Sequence, residues 1–398
     1  MIDFLLLLLG IALGAFAGLI PGIHANTLIS LLANFGGDAG SFGIALAALA
    51  AANVVFAFLP AIFFCIPDAE TIVSVLPGQR LLLEGKGFRA VNICVYAALI
   101  ALILSLLLLP LSFSILPALY ALVAPNMLLV LGVLSLFLLA SEREPKKIAL
   151  AALVFLLAGV LGALILDFPL VEEPLFPAFS GLFAVAGILV ALGQGVKIPI
   201  QREESGRIGR GLLACVFAGV ILGMLADLLP GISSPAQIAV FASAFIFLDS
   251  EKFLALCSSV AVSHLVFSLG AVSSIGKART GVAIALGALP EFQQNLWLYI
   301  GATAVGIALS AVLLLVFARV LVNLLKRVES EKINLLILAY LLAMVALTSG
   351  ANGLLIAATA GAIGVLPPLL GVRRTHLMGA ILLPSLLSRL GMMPAIFL

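Results

Sequence analysis

The sequence predicts an all-α polytopic integral membrane protein made of two inverted-topology repeats, with broken or re-entrant helices at its centre. Composition is the first reason: 64% of the 398 residues are hydrophobic and 10% are charged, with a mean hydropathy of +1.33. Soluble domains run at roughly 45–50% apolar and about 25% charged residues. Second, apolar stretches near the ~20 residues needed to cross a bilayer follow one another along the chain, which leaves no room for a separate soluble domain. Third, the two halves match at a constant shift of 209 residues. A net charge of +2 is too small to indicate a nucleic-acid partner, so the expected surroundings are the lipid bilayer of the cell membrane.

The opening Met1-Ile2-Asp3-Phe4 lacks a basic n-region and runs into further apolar segments, so the first segment reads as a retained helix. The shift pairs Gly10 with Gly219, Gly14 with Gly223 and Pro21-Gly22-Ile23 with Pro230-Gly231-Ile232. Further on it pairs Ile66 with Ile275, Thr71 with Thr280 and Gly78 with Gly287. Fixed self-similarity of this kind marks a duplication. The expected divisions are a first repeat over 1–196, a cytoplasmic linker over 197–210 and a second repeat over 211–398. Spans are expected at Asn92–Leu109, Leu116–Ala140, Ile148–Leu166 and Leu175–Leu192 in the first repeat. In the second they fall at Leu296–Val316, Ile333–Leu347, Leu354–Leu370 and Leu377–Ile396. The loop with Arg80, Glu84, Lys86 and Arg89 is basic, whereas its counterpart, Leu289 to Leu296, carries only Glu291. The positive-inside rule therefore sets the two copies facing opposite ways, with both termini on the extracytoplasmic side. Cys65, Cys94, Cys215 and Cys257 lie in apolar segments without Cys-x-x-Cys spacing and read as packing residues.

Chemistry is expected where helices break, because irregular backbone at membrane depth is tolerated only inside protein or beside a wet cavity. Pro21-Gly22-Ile23-His24-Ala25-Asn26-Thr27 interrupts one apolar run and Pro230-Gly231-Ile232-Ser233-Ser234-Pro235 its partner. A helix starting after each break would turn N–H groups toward an anion. This makes Gly22, His24, Asn26, Thr27, Gly231, Ser233 and Ser234 candidate substrate-binding residues, although the polar ones are also ordinary N-caps. A second constellation aligns Ile66-Pro67-Asp68-Ala69-Glu70-Thr71 with Ile275-Gly276-Lys277-Ala278-Arg279-Thr280, an acidic pair against a basic pair. Such charges pair as salt bridges, sit at a wet surface, or mark a substrate and ion path. On the last reading Lys277, Arg279 and Thr280 bind an anion, while Asp68, Glu70 and Thr71 carry a coupling sodium ion or proton. His264, Asn53 and Asp227 are weaker candidates, and His376, after two arginines, reads as a loop residue. No phosphate loop, zinc motif or other catalytic spacing is present, so neither an enzyme, nor a bound metal, nor a cofactor is expected.

The Gly14-x3-Gly18-x2-Pro21-Gly22 opening, and Ile66-Pro67 followed by Gly78-x6-Gly85-x3-Arg89-Ala90, resemble the TctA family, the large membrane subunit of tripartite tricarboxylate transporters. The resemblance implies a secondary transporter of an organic anion, a citrate-like carboxylate, coupled to an ion. It also implies a small membrane subunit and an extracytoplasmic solute-binding protein as partners. Asp227-Leu228-Leu229-Pro230-Gly231-Ile232-Ser233 resembles the polyprenyl-phosphate translocases, which implies a lipid phosphate as the alternative substrate. A non-transporting membrane scaffold is the third reading. Asp68-Ala69-Glu70 and His24-Ala25-Asn26-Thr27 depart from the tricarboxylate pattern.

Overall fold

The protein is described here from a computed structural model, which covers residues 2–20, 39–64, 71, 75–142, 144–167, 171, 174–193, 199–202, 209–228, 248–325 and 330–393. Among these residues every regular element is helical, and seven segments are long and apolar enough to cross a membrane. The chain is a multi-pass membrane protein.

The first group of helices is α1 (Ile2–Leu19), α2 (Ala39–Phe56), α3 (Phe58–Phe63), α4 (Val75–Leu83) and α5 (Gly87–Val123). Next come α6 (Met127–Ala140), α7 (Pro145–Asp167), α8 (Leu175–Phe179) and α9 (Ala186–Gly193), with a π-helical segment, Ser180–Val185, joining the last two. The sequence then starts again with α10 (Arg210–Leu225), α11 (Ser250–Ile275), α12 (Gly281–Gly287) and α13 (Phe292–Leu325). It closes with α14 (Ser330–Leu370) and α15 (Gly379–Arg389).

Helix pairs in lipid gain little from burying oil against oil, so close approach of backbones over small residues takes its place. Glycines supply that approach in α1 and α10. A Cβ added at Gly14 would stand 2.8 Å from the Leu49 carbonyl carbon of α2, and one at Gly223 would stand 2.8 Å from the His264 nitrogen of α11. These are the glycines that the 209-residue shift pairs.

The larger packing follows an exchange. Helix α5 lies on α11, while α13 lies on α2; α7 lies on α15, while α14 lies on the α8–α9 segment. Directions can be read from the contacts at each end. At one end Arg89 of α5 meets Glu251 of α11, the Phe63 ring lies beside Gly87, and Arg319 of α13 stands 5.8 Å from the centre of the Phe88 ring. At the other end Tyr299 of α13 lies against Gly43 of α2, and Val272 of α11 lies against Gly287. Thus α2 and α13 run from the second end to the first, and α5 and α11 run from the first to the second.

Two bundles result. Helices α1 to α5 pack with α10 to α13, and α6 to α9 pack with α14 and α15. Phe64, just past α3, bridges them by packing on the Ala184, Ile188 and Leu341 cluster. The stretch before α10 is tied down at Gln201, whose side chain accepts from Gly87 N–H at 2.8 Å and donates to the Leu82 carbonyl at 2.9 Å.

Three expected spans differ. Helix α5 continues through Pro110 and Pro117 and ends only at the 3-10 turn Ala124–Asn126, so one helix replaces the break expected between Leu109 and Leu116. A proline in a membrane helix is accommodated when neighbouring helices take up the strain; here α5 packs along α10, α11 and α13. The expected Leu377–Ile396 span contains only the eleven-residue α15, closed by Gly391 at φ 72°. A left-handed glycine of this kind terminates a helix. By contrast, α14 holds both spans expected there, parted at Gly350 (φ 61°, ψ −156°).

Candidate functional site

The residues around both Pro-Gly breaks, Gly22, His24, Asn26, Thr27, Gly231, Ser233 and Ser234, and the acidic pair Asp68 and Glu70, lie outside the described residues. Thr71 is described and wholly buried. The basic side of the charge exchange is described in full.

Helix α11 stops at Gly276, which adopts a left-handed conformation (φ 66°) that only glycine takes without strain. The chain then turns through Lys277, Ala278 and Arg279. It enters α12 at Thr280, an N-cap whose hydroxyl accepts from Ala283 N–H at 3.4 Å. Lys277 Nζ sits 5.4 Å from the centre of the Tyr120 ring on α5, a cation–π contact.

What fixes this turn is Asp227. It belongs to the 3-10 segment Ala226–Leu228 that ends α10, just before the second Pro-Gly pair, and its side chain is wholly buried. Its Oδ1 accepts from the Arg279 backbone N–H at 2.7 Å and from Ser268 Oγ at 3.1 Å, and lies 3.3 Å from His264 Nε2. Thr280 Oγ1 in turn donates to Ser268 Oγ at 2.9 Å. The result is a chain of polar groups, Thr280 to Ser268 to Asp227 to His264, set among apolar helices. Asp227 and Arg389 of α15 both lie close enough for their charges to act on the Arg279 guanidinium. Arg389 belongs to the other bundle, so this loop faces the junction of the two.

Lys277, Arg279 and Thr280 are thus brought together with Asp227 and His264, which the sequence ranks as weaker candidates; Asn53 is buried in α2. Arg389 and Tyr120 are missing from the sequence reading altogether. Their partners are distant in the chain, and neither lies in a matched motif. The reading of His376 as a loop residue is corrected: it lies wholly buried in the 3-10 segment Arg374–Met378, with Nε2 3.1 Å from Glu142 Oε1. That oxygen also accepts from Arg373 N–H at 2.9 Å. An acidic residue at the end of a distant helix, which a single sequence does not connect to it, draws the histidine inward. The described cysteines, Cys94, Cys215 and Cys257, are buried thiols outside any disulfide.

Among the described residues no cluster of three or more His, Cys, Asp or Glu side chains is suited to a metal ion. The arrangement offers fixed cations at the loop and one buried carboxylate behind it, which is the chemistry of anion binding and ion exchange.

An uncharacterised protein of Methanocaldococcus jannaschii is 29% identical over 295 residues, covering 72% of each chain. No solved structure matches. The model of the tripartite tricarboxylate transporter TctA family matches residues 4–379, and the chain belongs to that family.

Proposed function

We propose that the protein is the ion-coupled pathway for a citrate-like carboxylate, working by alternating access between two inverted repeats, 1–196 and 211–398, joined by the cytoplasmic linker 197–210. The family supplies the substrate class. The observation that carries the mechanism is the opposed course of matched helices: α2 and α11 correspond at the 209-residue shift and run oppositely, as do α5 and α13. Inverted copies exchange inward- and outward-open shapes by swapping conformations between halves.

In this reading Lys277 and Arg279 bind carboxylate groups, Arg279 through its two-pronged guanidinium, and Thr280 fixes the loop that presents them. The Pro-Gly segments, which lie outside the described residues, supply the further substrate-binding candidates Gly22, His24, Asn26, Thr27, Gly231, Ser233 and Ser234. Asp68, Glu70 and Thr71 form the acidic counterpart. A small membrane subunit and an extracytoplasmic solute-binding protein deliver the substrate, and both termini lie on the extracytoplasmic side.

Radiolabelled citrate uptake into proteoliposomes tests the assignment. Lys277→Gln and Arg279→Gln should each abolish uptake while the melting temperature stays near that of the unaltered protein. Undiminished uptake in both would exclude them from the site. Uptake of a polyprenyl phosphate in place of citrate would replace the substrate class.

A further inference from the structure

We propose that Asp227, together with His264, is the group that binds the coupling proton. This rests on the ion-coupled reading above and names both the ion and its carrier.

The argument starts from what the pair lacks. Both side chains are essentially inaccessible, at 0% and 1% exposure. Asp227 Oδ1 is saturated by the Arg279 N–H and Ser268, with the His264 nitrogen beside it. Its second oxygen, Oδ2, has no hydrogen-bond partner among the described residues, nor has His264 Nδ1. Buried polar atoms are almost always paired, and of the atoms left without a partner among the described residues Asp227 Oδ2 is the one that belongs to a carboxyl group. A proton on Oδ2 would turn that bare acceptor into a hydroxyl and supply what the site lacks.

The ligand set selects a proton over a metal cation. A sodium ion would need several oxygen ligands at once, but Ser268 Oγ already accepts from Thr280 and Thr280 Oγ1 from the Ala283 N–H, which leaves each hydroxyl one lone pair to offer. An imidazole nitrogen stands where another oxygen ligand would have to be. The hydrogen-bonded row from Thr280 through Ser268 ends on the same carboxylate, giving a buried line of exchangeable protons that reaches the loop.

Loading is then tied to the substrate loop. The charged or titratable groups facing Asp227 are His264 of α11 and Arg279 of the following loop; Lys277 of that loop lies over Tyr120 of α5, and Tyr120 and Arg389 of α15 act on Arg279. Ionised, Asp227 offsets the positive charge of the loop. A proton on Oδ2 takes the pair from one negative charge to none, so Lys277 and Arg279 become available to an anion. Proton and anion would bind together and leave together, and the proton taken up on one side is released to water on the other.

Infrared difference spectra of the purified protein across a pH titration test the site without any substrate. A band of a buried protonated carboxyl group should appear on acidification, vanish in Asp227→Asn and shift in pH midpoint in His264→Gln. Asparagine keeps the side-chain carbonyl that accepts from Ser268 and Arg279, and the amide band reports whether each variant remains folded. Should Asp227→Asn not fold, the shift in His264→Gln carries the test. A titrating band unchanged in both variants overturns the proposal. In proteoliposomes loaded with a pH-sensitive dye, inward citrate flux should acidify the lumen with the unaltered protein and fail to do so with Asp227→Asn; acidification that persists removes the coupling role. A band that depends on Asp227 in a protein that moves no citrate would leave the proton site standing and discard the transport reading instead.

Discussion

Replacing Gly14 and Gly223 by alanine separates close helix packing from helix propensity. On an open helix surface Gly→Ala stabilises by roughly 0.5–1 kcal/mol. Gly132 and Gly301 are such positions, with nothing within 4 Å of an added Cβ. At Gly14 the new carbon would stand 2.8 Å from the Leu49 carbonyl carbon and 2.9 Å from Ala52 Cβ; at Gly223 it would stand 2.8 Å from the His264 nitrogen. Carbon atoms settle about 3.5–4.0 Å apart, so each helix pair must part by on the order of 1 Å, forfeiting roughly a quarter to a half of the dispersion energy along its seam. At Gly14 the Leu49 carbonyl and the Ala52 Cβ cannot rotate away, and at Gly223 the His264 backbone nitrogen and the Ser263 Cβ stay in place even if the Ser263 hydroxyl turns aside. Overpacking of this kind costs about 1–3 kcal/mol. It outweighs the propensity gain, leaving Gly14→Ala and Gly223→Ala less stable by ~1–2 kcal/mol. Thermal unfolding in detergent can be followed with a thiol-reactive dye, because Cys94, Cys215 and Cys257 are buried thiols outside any disulfide. Gly132→Ala and Gly301→Ala should melt at or above the unaltered protein, and the other two clearly below it. Four equal midpoints would mean that α1 and α10 do not approach their neighbours this closely, and would refute the reasoning.

Other consequences are open to measurement. The Arg89–Glu251 bridge, with bonds of 2.7 and 3.0 Å and side chains 30% and 25% exposed, joins the two repeats. Arg89→Gln or Glu251→Gln should cost about 1 kcal/mol or less, and a double-mutant cycle of melting temperatures should recover most of it as coupling. Burial holds the His376 imidazole below its ordinary range, with the Glu142 bond opposing. Burial pushes the Glu142 carboxyl up, but the Arg373 N–H and His376 outweigh it and hold it below the usual range. Both groups therefore favour the fold above their unfolded values and lose that contribution on acidification. The melting temperature should start to fall below about pH 6.5 and fall again below about pH 4.3. His376→Gln should abolish the first step in a pH series of melts. Thr280→Val removes the cap of α12 and should cost about 0.5–2 kcal/mol, while Thr280→Ser keeps the oxygen and stays near the unaltered protein in the same assay.

Membrane class and helix content were legible from composition, since 64% apolar residues leave no other solvent for the chain. The 209-residue match also pointed to residues that matter: Gly14 and Gly223, picked out by their spacing, make close helix approaches. Facing was not legible. Helices such as α6 and α7 are apolar on every side, so the periodicity that shows the buried face of a soluble helix is absent. The pairing of Asp227 with His264 and of Glu142 with His376 joins residues 37 and 234 positions apart, and no spacing rule connects them. Proline misled at Pro110 and Pro117, because the rule that it ends helices assumes water is present to take up the freed carbonyls.

The way the bundles are assembled bears on which pieces can travel. Each draws on both repeats, so the boundary between duplicated sequences is not the boundary between solid bodies. If α1–α5 with α10–α13 slides or tilts as a unit against α6–α9 with α14 and α15, the 3-10 turn Ala124–Asn126 between α5 and α6 is a place where the chain passes from one body to the other and must give. Arg279 and Arg389 would then stand on opposite faces of that sliding boundary, and a bound anion between them would act as a removable pin.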